Sequence, residues 1–95
     1  MIYRAALARN PDDWMVHYNY ANLLSQFGQA SCLTEYAYVV ERLPRQRAFR
    51  LVYGNALLKA GRPTDALVQF QAALAIDAHY QPALEAMASA RKRLP

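Results

Sequence analysis

The chain has 95 residues, 55% of them apolar, which suits one small domain with a modest core. Its formal net charge of +4 is compatible with acidic partners but too mild to indicate nucleic-acid binding, and no apolar run approaches the roughly 20 residues of a membrane-spanning helix. The single cysteine, Cys32, excludes an internal disulfide or thiolate metal cage, and His17 and His79 lie apart from any ligand grouping, so no metal and no cofactor are expected.

Residues 1–11 read as the second helix of a hairpin whose first helix is missing, with Tyr3 and Ala6 on one face and Pro11 as the stop. Ile2 to Leu7 is too short for a secretory signal and is interrupted by Arg4, so the expectation is a soluble, cytoplasmic protein.

Residues 12–46 read as a complete hairpin. Asp12 or Asp13 starts a helix over about 13–27, with His17, Tyr20, Ala21, Leu24 and Phe27 as its inward stripe. Gly28 supplies the turn, and a second helix over about 31–43 turns Cys32, Tyr36, Val39, Val40 and Leu43 inward. Cys32 is read as a buried structural thiol. Residues 47–80 repeat the plan: a helix over about 46–60 packs through Tyr53, Gly54 and Leu57. After Gly61, Thr64 caps a helix over about 65–77 that buries Ala66, Leu67, Phe70, Ala73 and Leu74. From Gly28 to Cys32 is four steps and from Gly61 to Ala66 five, which predicts a shorter turn in the first hairpin. Residues 81–95 form a closing helix over about 80–93, carrying Leu84, Met87, Ala88 and Leu94. Ile2, Met87 and Leu94 are expected to be exposed at the two ends, where a homo-oligomer could form by end-to-end stacking.

The order behind this reading is a repeat. Tyr20-Ala21-Asn22-Leu23-Leu24, ending at Gly28, returns 33 residues later as Tyr53-Gly54-Asn55-Ala56-Leu57, ending at Gly61. Pro11 and Pro44 share that offset, whereas Tyr36 and Phe70 are 34 apart. A period in the low thirties denotes stacked helical hairpins, each burying its apolar face on the next.

These residues resemble the tetratricopeptide repeat pattern, a helix pair of about 34 residues. Ala21 and Gly54 match its tiny slot, Gly28 and Gly61 its turn, Cys32 and Ala66 its next small slot, Tyr36 and Phe70 its aromatic slot, and Pro11 and Pro44 its exit. His17 and Arg50 depart from it in the early tryptophan slot, and Leu24 and Leu57 in the later tyrosine slot. The resemblance implies an all-α fold, a right-handed α-α superhelix of antiparallel hairpins, and a non-catalytic protein–protein interaction scaffold. It also implies that the first helices line a concave groove for a peptide or helix.

On that face stand Met15, Tyr18, Asn22, Ser25 and Gln26 from one hairpin, and Ala48, Leu51, Asn55, Leu58 and Lys59 from the next. Asn22 and Asn55 carry amides that both donate and accept, so they can hold a peptide backbone. In chaperone-binding members, lysines and arginines join such asparagines to grip a terminal carboxylate. The matching positions here hold Tyr18, Leu51 and Glu85, which argues against that ligand. Arg42, Arg45, Arg47 and Arg50 gather around Pro44, either as a solvated corner or as an edge for an acidic or phosphate-bearing partner.

No glycine-rich phosphate loop and no nucleophile with an obvious base is present, so an enzyme active site is not expected. The alternative reading is a regulatory or substrate-positioning segment of a larger enzyme, such as a bacterial glycosyltransferase-like or sulfotransferase-like protein.

Overall fold

The computed structural model describes residues 2–94 and, among them, contains six α-helices and no strand. They are α1 (Ile2–Arg9), α2 (Trp14–Gln26), α3 (Cys32–Arg42), α4 (Arg47–Lys59), α5 (Pro63–Ile76) and α6 (Gln81–Arg91). Two antiparallel hairpins, α2–α3 and α4–α5, stack side by side, with α1 leaning on α2 and α6 on α5. The assembly measures 40 × 25 × 16 Å, long and thin as a short solenoid should be.

Each hairpin turns in the same way. Gly28 and Gly61 have φ of 69° and 80°, the left-handed region that side-chain-bearing residues avoid. The backbone N–H of Gln29 then reaches the Leu24 carbonyl at 2.8 Å, and that of Arg62 reaches Leu57 at 2.9 Å, closing two Schellman ends. Beyond the glycines the hairpins differ, and the sequence expectation is reversed: the first turn is the longer one. Pro63 occupies the first position of α5, so the helix begins two residues after Gly61. Thr64 therefore lies inside α5 rather than capping it. α3 starts only at Cys32, after a stretch in which Cys32 and Leu33 bond back to Gln29 and Ala30.

The core runs continuously through the stack. Tyr20, Ala21, Leu24, Cys32, Tyr36 and Ala56 form one cluster, and Leu57, Leu58, Ala66, Phe70, Met87 and Ala90 the next. Close approach happens at the tiny slot. A side chain built on Gly54 would have its first carbon 2.8 Å from Cδ1 of Phe70 and 3.0 Å from Cζ.

Several inward assignments need correction. Phe27 is 68% exposed because it ends α2 as the C-cap residue and points past the last turn. α6 buries Ala83, Met87 and Ala90, not Leu84 and Ala88, which face outward. Met87 is thus buried rather than exposed at the end of the stack, while Leu94 is exposed. The side chains of Ile2 and Tyr3, and the expectations placed on them, lie outside the described residues.

One polar device recurs with the repeat. His17 Nε2 lies 2.6 Å from the Pro11 carbonyl and Nδ1 lies 2.6 Å from Glu35 Oε2. In the next hairpin Arg50 Nε donates to the Pro44 carbonyl at 3.1 Å and Nη1 donates to Gln69 Oε1 at 3.0 Å. Both residues tie the proline corner before their own helix to the second helix of their hairpin.

Candidate functional site

The first helices of the hairpins, α2 and α4, present the stripe that sequence periodicity marks for binding. Its residues separate into two rows. Met15, Asn22 and Gln26 on α2 are exposed, as are Ala48, Asn55 and Lys59 on α4. The row beside them is withdrawn: Tyr18, Ser25 and Leu51 are half-buried, and Leu58 is buried. The expectation that Leu58 offers apolar contact to a ligand is therefore corrected. Leu58 and Leu51 pack in the cluster that holds Met87 and Ala90 of α6. Each first helix uses this row to seat the one that follows, so its residues serve the stack.

At the corresponding place on α2, Tyr18 takes part in an aromatic cluster. Its ring centroid lies 4.8 Å from Phe49 of α4 and 6.2 Å from Tyr36 of α3, and Trp14 stands 5.6 Å from Phe49. Tilted and edge-on contacts of this kind suit the positive edge and negative face of aromatic rings. Trp14 and Phe49 escaped the repeat comparison because neither has an aromatic at its 33-residue counterpart, Arg47 and Val16. The spacing of Trp14 and Tyr18, four apart on one helix, is the signal that could have found them.

The two asparagines stand in different surroundings although both are exposed. The Tyr36 hydroxyl donates to Asn22 Oδ1 at 2.5 Å, which ties α3 to α2 across the edge of the exposed row. Behind Asn55 the matching aromatic is Phe70, fully buried and without a hydroxyl. Burial pushes the Tyr36 phenol up to about 12, so it keeps its proton through neutral pH. Ser25 stands beside both the Tyr36 phenol and the buried thiol of Cys32, and it opposes the rise of each less than burial drives it. Burial raises that thiol too, consistent with the structural role expected for Cys32.

Beside this face, Ser25, the Gly28 turn and Cys32 border Ala56, Lys59 and Ala60 across a cleft of about 290 Å³. It lies between the two hairpins, where small residues keep the surfaces from meeting.

The arginines at the Pro44 corner are mostly engaged within the chain. Arg42 pairs with Asp12 at 3.4 Å and lies over the Tyr38 ring, Arg47 pairs with Asp77 and lies over Tyr80, and Arg50 forms the corner clasp. Such engagement leaves the idea of an edge tuned for acidic ligands with little to stand on. Among the described residues no three His, Cys, Asp or Glu gather to hold a metal ion. No described helix is long and apolar enough to cross a membrane.

Residues 2–31 match a model of the tetratricopeptide repeat family, a span that takes in α1, the Pro11 corner, α2 and the Gly28 turn. That span is similar to a tetratricopeptide repeat. No curated protein sequence matches the chain. The matched span ends just before α3, yet the tetratricopeptide plan continues in the structure, since the α4–α5 hairpin repeats the glycine turn, the tiny slot and the corner clasp. Met15, Asn22 and Gln26 lie within the matched span; Ala48, Asn55 and Lys59 hold the equivalent places one hairpin on.

Proposed function

We propose that this chain is a tetratricopeptide repeat protein and a non-catalytic interaction module that holds an extended peptide across the exposed row of α2 and α4. The observation that carries the reading is the placement of Asn22 and Asn55. They are exposed and sit 33 residues apart at the same position of successive first helices. Amides repeated in this way suit the backbone N–H and C=O groups that recur along an extended chain. Met15, 54% exposed, adds a flexible apolar contact next to them, and Lys59 a cation at the far end of α4.

The test begins by panning a display library of short random peptides against the immobilised chain. Calorimetry then compares a selected peptide on the wild type and on Asn22→Ala/Asn55→Ala. The double variant is expected to bind at least tenfold more weakly with an unchanged helical circular dichroism spectrum, the loss of about two net hydrogen bonds. Equal affinity would remove both asparagines from the binding surface.

A further inference from the structure

The two asparagines differ in what lies behind them, and the difference has chemical content. A Tyr hydroxyl has one proton to give, a carboxamide oxygen can only accept, and a carboxamide nitrogen can only donate. The Tyr36 hydroxyl gives its proton to Asn22 Oδ1 at 2.5 Å. The oxygen end of Asn22 is thereby turned toward α3 and engaged, and the amide –NH₂ is the end presented outward. Phe70 stands in the same slot of the next hairpin and has nothing to donate, so no phenol imposes an orientation on Asn55.

We propose that Tyr36 is a positioning residue that makes Asn22 a donor-only contact, so that the first hairpin takes a carbonyl oxygen of the bound peptide. This rests on the peptide-binding reading given above and adds a direction to it. A ligand has to present an acceptor at α2, whereas at α4 the Asn55 amide can turn to meet either a donor or an acceptor.

Three further observations support the assignment. The ring of Tyr36 is buried, which removes the rotational freedom that would let its hydroxyl swing away. Its phenol is held protonated by that burial, so the donor persists at any ordinary pH. Asn22 itself stands exposed, so the end of its amide turned away from Tyr36 is open to a ligand.

The experiment is a double-mutant cycle by calorimetry on the same selected peptide, with Tyr36→Phe, Asn22→Ala and their combination. Phenylalanine already occupies this slot in the sister hairpin, so the ring alone is compatible with the fold. Tyr36→Phe is expected to weaken binding about three- to tenfold in the wild type and to change nothing in the Asn22→Ala background. Asn22→Asp, which still accepts from Tyr36 but has lost the outward donor, should bind as weakly as Asn22→Ala. Without peptide, side-chain couplings of Asn22 should report one rotamer in the wild type and averaging in Tyr36→Phe. Equal losses from Tyr36→Phe in both backgrounds, or full binding by Asn22→Asp, would overturn the proposal while leaving the peptide surface intact. Indifference of the peptide to Asn22→Ala would instead strike at the surface itself.

Discussion

His17 and Arg50, 33 residues apart, do the same work: each hydrogen-bonds the carbonyl of the proline before its helix and an acceptor on the helix after it. Both partners of His17, the Pro11 carbonyl and a Glu35 oxygen, are groups that accept, which is what a guanidinium meets at Arg50. The expected outcome is therefore that His17→Arg leaves thermal stability nearly unchanged, because its two N–H groups can meet the same pair. His17→Leu should lose about 1–3 kcal/mol in denaturant unfolding, since half-buried Glu35 and the corner carbonyl are left without the imidazole between them. If the leucine variant unfolds with the wild type, the clasp contributes nothing.

The same pair shows how far the sequence could be read. The period, the two glycine turns and the proline corners were all visible, because backbone geometry demands particular residues there and repeats them. All six helices fall within a few residues of the boundaries that period implies. His17 and Arg50 looked like departures from the family pattern because their side chains share no shape; what they share is a pair of nitrogens that reach the same two places. The binding row was legible only in part. Periodicity places Leu58 and Asn55 on neighbouring rows of one helix face, but which row faces solvent depends on where α6 lands, and that is a tertiary outcome. The bond from Tyr36 to Asn22 was hidden for a similar reason, since the residues are 14 apart on different helices.

Gly54 makes the sharpest prediction about packing. Alanine at this position would improve helix propensity by about 1 kcal/mol, but its methyl would sit inside contact distance of the fully buried Phe70 ring. Overpacking typically costs about 1–3 kcal/mol, so Gly54→Ala should destabilise on balance and Gly54→Leu more severely. Gly54→Ala combined with Phe70→Leu should recover part of the loss in a double-mutant cycle. A single variant more stable than wild type by chemical denaturation would mean that Phe70 yields easily and the slot is not tight.

Tyr36 sets an alkaline limit on the fold. Burial raises its phenol from 10.0 to about 12, so the folded state favours the neutral form and the unfolded chain releases the proton first. Its contribution is complete below pH 10 and is lost as pH climbs through about 12. Tyr53, raised chiefly by burial as well, acts in the same sense. Melting temperatures recorded across this window should fall more steeply for the wild type than for Tyr36→Phe. Parallel curves would show that Tyr36 ionises without cost to the fold.

Asp13 and Ser31 precede α2 and α3 and look alike as helix-starting residues, but only Asp13 acts as a cap. Its carboxylate accepts from the backbone N–H of Met15 at 3.1 Å and of Val16 at 3.4 Å, whereas Ser31 makes no side-chain cap bond. Asp13→Ala is expected to cost about 1 kcal/mol in urea unfolding, and Ser31→Ala to stay within about 0.5 kcal/mol of wild type. Equal effects from the two substitutions would contradict the capping geometry.

The single tryptophan can report on the contact between the hairpins. Trp14 of α2 meets Phe49 of α4 at 5.6 Å between ring centroids, and Phe49 also meets Tyr18 at 4.8 Å, so one aromatic from the second hairpin holds two from the first. Removing that ring forfeits about 0.5–1.5 kcal/mol for each aromatic pair, beyond the area it buried. It also opens the indole to water. Phe49→Ala should therefore shift the emission of folded Trp14 to longer wavelength and lower the unfolding midpoint. Met15→Ala, next to the indole in sequence but exposed, should do neither. If the Phe49→Ala spectrum matches wild type, Trp14 is shielded by its own hairpin, and the stacking of α2 on α4 has been assigned to the wrong side chains.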